Sequence, residues 1–140
     1  MPINIKAMAN NVLVRLQAVK EVRAGTVLHN RNGTSDASPR CPNCGSWVRH
    51  WEVMTETPRP ETGNCAVVGC NGKDENGDKY PIEGCHVNIK DGNDVRVFIV
   101  PLCKGCNGKH GKDVILGRSM KLVWANFEET CSKLMDESKM

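Results

Sequence analysis

A small α+β fold stapled by metal is the class this sequence predicts, and three observations predict it. Two C-x2-C pairs, Cys41/Cys44 and Cys103/Cys106, stand among eight cysteines. Apolar residues recur at helical spacing near the N-terminus, and two apolar, β-prone runs flank a turn-rich pentapeptide in the second half. With 140 residues, the chain has room for one ordinary domain. Hydrophobic residues make up 39% and aromatics 4%, so the core is small and needs a second means of holding the fold.

Ile5, Met8, Val12, Leu16 and Val19 recur at steps of three and four, which predicts an amphipathic helix to about Val22 with this stripe over the core. Gly25 is its stop. Residues 1–28 thus form an N-terminal helical extension, the turn-rich, apolar-poor run 29–40 a linker, and 41–140 the cysteine-bearing domain. Within that domain Ile82 to Ile89 and Val95 to Val100 read as strands, joined through Lys90, Asp91, Gly92, Asn93 and Asp94. The glycines at 108 and 111 allow only a weak or short helix after the last cysteine pair. Met120 to Ala125 reads as a further strand. Asn126 with Glu129 forms a capping box that opens a short C-terminal helix, with Phe127, Cys131 and Leu134 inward.

Polar residues interrupt the apolar positions of the first 25 residues, so no secretory signal is read and the expected compartment is intracellular, cytoplasmic or nuclear. The late first acid, Glu21, leaves a mitochondrial presequence as the lesser alternative. No apolar run is long enough for a transmembrane helix. In a reducing compartment thiols serve more often as metal ligands than as disulfide partners. Asp74, Asn76 and Asp78 imitate the start of a calcium loop, but Lys79 stands where that loop needs Gly and Cys85 where it needs Glu.

Each C-x2-C pair can place two thiolates on one zinc ion, and Gly45 permits the tight turn that aims backbone N–H groups at sulfur. Cys65 and Cys70 form a looser C-x4-C pair. The preferred grouping puts Cys65, Cys70, Cys103 and Cys106 on one structural zinc at the ends of the hairpin. Cys41 and Cys44 then take two partners from His50, Cys85 and Cys131, giving two zinc ions in all. In the other grouping the two C-x2-C pairs share one ion. Trp47 and Trp51 bracket His50 and pack on the core, leaving His50 to zinc or solvent.

Read in order, Cys65 and Cys70, Glu83-Gly84-Cys85-His86-Val87, the hairpin, Leu102-Cys103-Lys104-Gly105-Cys106-Asn107 and Lys109 resemble the zinc-containing HNH endonucleases, the ββα-metal or His-Me finger family. The resemblance spans about residues 65–111. It implies a ββα-metal centre with His86 as the general base of phosphodiester hydrolysis and Asn107 as a holder of a catalytic magnesium or manganese ion. The position before His86, often an acidic ligand in that family, is Cys85. The expected partner is nucleic acid, DNA or RNA, contacted by basic residues from Lys104 to Lys112. A non-enzymatic zinc module binding nucleic acid or protein, or a small subunit docking through the N-terminal helix, is the competing expectation.

Overall fold

The computed structural model describes residues 4–31 and 44–138. The linker core at 32–40 and the predicted ligand Cys41 lie outside the described residues. The protein has mixed helix and sheet, in the order α1 (Ile5–Ala18), β1 (Val19–Val22), β2 (Val27–Asn30), α2 (Trp47–Thr55), β3 (Ile82–Ile89), β4 (Phe98–Cys103), α3 (Lys104–Asn107), β5 (Asp113–Ile115) and β6 (Met120–Trp124), ending in a 3-10 turn, Cys131–Lys133. The six strands form one antiparallel sheet ordered β1-β6-β4-β3-β2-β5.

Every residue of the central strand β4 is buried, because both sheet faces are covered. Alternation along it sends Phe98, Val100 and Leu102 into a core shared with Leu28, Val87, Leu116 and Leu122. Ile99 points the other way, joining Val123, Trp47, Trp51 and Met54 beneath α2. Close approach of α2 depends on Gly84 in β3: a Cβ there would sit 2.7 Å from the Val48 amide nitrogen. Ser46 caps α2, its side chain accepting from the Arg49 N–H at 3.2 Å.

Tertiary structure changes three local expectations. The N-terminal helix stops at Ala18, and the next four residues become an edge strand on β6. The second hairpin strand begins at Phe98, three residues later than the apolar run suggests. Asp94 accepts hydrogen bonds from the backbone and guanidinium of Arg96 and from Lys20, which holds residues 94–96 in a loop and leaves Val95 87% exposed. At the C-terminus Asn126 accepts from the Glu129 N–H at 3.2 Å, yet only a 3-10 turn follows.

The most consequential difference concerns which face of α1 is inward. Ala7, Asn11, Val14 and Ala18 are buried, whereas Ile5, Val12 and Leu16 are 78%, 57% and 71% exposed. Asn11 explains the inversion. Its amide donates to the Met135 carbonyl and the Glu137 carboxylate and accepts from the Met135 N–H, tying α1 to the C-terminal segment through a polar residue that periodicity assigns to solvent. Small residues on either side let that segment come close. Val14→Ala is expected to lower stability by about 1 kcal/mol in urea denaturation, while Leu16→Ala stays within about 0.5 kcal/mol; the reverse ranking would mean that the outer stripe is covered.

Candidate metal centres and the adjoining groove

Cys103 ends β4 and caps α3, its Sγ accepting from the Cys106 N–H at 3.5 Å. The hydrogen bond forms because the C-x2-C turn folds its own amide back onto sulfur. Gly105 inside that turn lies against the Tyr80 ring, where a Cβ would approach to 2.6 Å. The partner pair comes from a loop pinned to the sheet by Val68 N–H to the Ile115 carbonyl and Gly117 N–H to the Ala66 carbonyl. Gly72 N–H adds a bond to Cys70 Sγ at 3.3 Å.

These elements bring the four sulfurs of Cys65, Cys70, Cys103 and Cys106 together, all within 4.8 Å of one another. Cys65 and Cys106 are 3.8 Å apart and Cys70 and Cys103 3.6 Å. Tetrahedral zinc with Zn–S bonds of about 2.3 Å sets sulfur-sulfur edges of about 3.8 Å, whereas a disulfide brings two sulfurs to about 2.0 Å. The set therefore fits one four-thiolate ion, with no position left for substrate. Hydrogen bonding with Cys106 lowers the Cys65 thiol to about 5, while burial raises Cys103 to about 11. A cation bound among these sulfurs would draw off their protons.

A second group, Cys44, His50 and Cys131, joins the segment just before α2, the middle of α2 and the C-terminal turn. Gly45 adopts φ 74, the left-handed turn expected after the first knuckle. Cys131 is disulfide-bonded in this structure. Cys85 belongs to neither group; it is fully buried between Val87 and Val100 in the larger core.

Beside α3 lies an open groove of about 430 Å³ lined by Trp47, Glu83, Lys104, Asn107 and His110 among others. Asn107 Nδ2 donates to Glu83 Oε1 at 2.9 Å. Buried Asn30 fixes α3 from below, donating to the carbonyls of Cys106 and Asn107. His110 Nδ1 sits 3.3 Å from the Arg31 carbonyl, which makes it the protonated nitrogen and leaves Nε2 available.

His86 is not in the groove. It is 4% exposed beneath Trp47, with ring centroids 4.9 Å apart, and neither ring nitrogen has a hydrogen-bond partner. Burial lowers its pKa to about 4, helped by the charges of Arg31 and His50. Antiparallel register continues from Asn30 opposite Val87 to place Arg31 across from His86, and Arg31 Nη1 donates to Asn88 Oδ1 at 2.8 Å. Glu83, Arg31 and the bridging position of Trp47 were not singled out by sequence reasoning. The alternation of β3 separates Glu83 from His86, and Arg31 reaches its place only through long-range strand pairing.

No family model, no curated protein and no solved structure matches this chain. The arrangement stands on its own residues. Two side-chain groups can hold a metal ion, and among the described residues no helix is long and apolar enough to cross a membrane.

Chelation, or Cys103→Ser, is expected to unfold the loop at 65–70 and α3 together, read as loss of amide-exchange protection in both segments. For His86 the neutral form is the folded form. Below the ordinary value of 6.5 the unfolded chain takes up a proton that the folded chain refuses until about pH 4, so stability falls as pH falls through that window, by about 3 kcal/mol in all. Subtracting the pH-stability profile of His86→Phe from that of the natural protein should isolate this slope; parallel profiles would mean that His86 is solvated.

Proposed function

We propose that this protein is a zinc-stapled, HNH-like module that binds the phosphate backbone of nucleic acid along the groove beside α3. The carrying observation is charge. Lys104 and His110 line the groove, Lys109 and Lys112 follow within the same short stretch, and none of these lysines has an acidic partner within 4.0 Å among the described residues. Uncompensated lysines on a frame held rigid by four thiolates suit a polyanion, which such residues bind by releasing its counterions. The zinc assignment rests on the match between the sulfur spacing and tetrahedral Zn–S geometry. The HNH-like assignment rests on order: the antiparallel pair β3 and β4 runs directly into α3, with the cysteine cluster at the junction and Asn107 at the helix end.

Phosphodiester hydrolysis is the second reading, and the unpaired imidazole of His86 is what favours it. A buried side chain that forgoes two hydrogen bonds is costly, and such groups concentrate where chemistry needs them. Trp47 both covers His86 and lines the groove, so a shift of this one indole would join the two. In that reading His86 takes the proton of the attacking water, Asn107 and Glu83 offer oxygen ligands for magnesium or manganese, and Lys104 faces the phosphate.

Binding of labelled single- and double-stranded oligonucleotides across a salt series tests the first reading. Lys104→Ala and Lys109→Ala should each weaken binding and reduce the salt slope by about one. Equal affinity for Lys104→Ala would dismiss the groove as the contact surface. Plasmid and single-strand cleavage with magnesium, manganese or chelator, run beside a His86→Ala protein shown to retain its zinc, decides the second. Metal-dependent cleavage lost in the variant establishes hydrolysis; binding without cleavage leaves recognition as the whole activity.

A further inference from the structure

The groove and the four-thiolate cluster leave the second group, whose Cys44 and Cys131 share the core beneath α2 with Trp47, without a role. Cys44, His50 and Cys131 are 8%, 0% and 2% exposed, and their ligand atoms all lie within 4.8 Å of one another. His50 supplies the deciding detail. Its Nε2 sits 3.2 Å from the carbonyl of Trp124, a contact that requires the proton on Nε2 and leaves a bare lone pair on Nδ1. That lone pair is buried and has no donor. A buried acceptor left unmet is costly, so one that persists asks for a partner. A histidine whose far N–H is held by a backbone carbonyl, with its other nitrogen beside cysteine sulfurs, is the arrangement that orients an imidazole toward a metal.

We propose that Cys44, His50 through Nδ1, and Cys131 hold a second structural zinc ion, and that it clamps α2 to the C-terminal turn. Two thiolates and one imidazole fill three corners of the tetrahedron. The fourth ligand expected from the C-x2-C spacing is Cys41. Of the three partners that the sequence leaves open, the structure takes His50 and Cys131 and leaves Cys85 in the other core. The same Cys131 sulfur cannot serve a disulfide and this ion together, so the proposal commits to the thiolate form in the metal-loaded chain. Clamping has a consequence beyond stability. Trp47, one turn before His50 on α2, meets both His50 and His86 edge-on at 5.3 and 4.9 Å, so an ion that fixes His50 also fixes the indole over His86.

The test is a metal count on the full chain purified under reducing conditions, by elemental analysis and native mass spectrometry. Two zinc ions per chain and no disulfide are expected. Cys44→Ser and Cys131→Ser should each carry one, and Cys85→Ser should keep two. Cobalt substitution controls for misfolding: Cys44→Ser should retain the absorption of the four-thiolate centre, and the wild-type minus variant difference should show the weaker charge-transfer intensity of a site that includes nitrogen. One zinc per chain with a mass two hydrogens lighter would overturn the proposal in favour of the disulfide. Loss of the second ion on Cys85→Ser alone, or retention of both in Cys131→Ser, would overturn the ligand set.

Discussion

Four sulfurs gathered within 4.8 Å of one another, where β4 turns into α3, are the contact around which the groove side of this molecule is arranged. A helix of four residues cannot hold itself together, since nucleation alone fixes about as many backbone angles as its hydrogen bonds can repay. The loop at 65–70 likewise has few apolar side chains to bury. Each is held to the sheet by backbone and Asn30 hydrogen bonds and brings two sulfurs to a common point. Asn107 and Lys104 take their positions on α3 from the crossing of these sulfurs and from the hydrogen bonds that Asn30 donates to the Cys106 and Asn107 carbonyls.

A second constraint operates through the sheet. Because β4 is covered on both faces, one strand separates two small cores, and α2 must come close enough over Gly84 and Ile99 to close the second. Trp47 is the side chain at which these demands meet. It packs into the core under α2, lines the groove and shields His86 from water. The depressed basicity of His86 follows from that shielding together with the facing Arg31, so the helix and the cross-strand neighbour tune a residue that neither adjoins in sequence.

The surface divides accordingly. Lys104 and His110 line the groove together with Glu83, whereas the acidic chains of Glu52 and Asp94 are taken up by Arg59 and Arg96. Helix α1 turns Ile5, Val12 and Leu16 to solvent, since its inner face is made of residues small enough, or polar in the right place, to receive the C-terminal backbone.

Local spacing in the sequence was enough to mark the C-x2-C pairs as candidate ligands, because the knuckle spacing limits which sulfurs can reach one ion within a single turn of chain, and the fold then brought Cys65, Cys70, Cys103 and Cys106 together. It was enough, too, for the β3–β4 hairpin and the Met120 strand, whose periodicity and turn residues are local. The remaining features needed the folded chain. Which partners join Cys44 depends on where α2 and the C-terminal turn meet, a contact that brings His50 and Cys131 together from distant parts of the chain. Which face of α1 is inward depends on three hydrogen bonds made by Asn11 across more than a hundred residues. Whether His86 meets water depends on Trp47. Helical period tells that a helix has two faces, and spacing tells that a thiol can bind; neither carries the long-range pairing that chooses the neighbour.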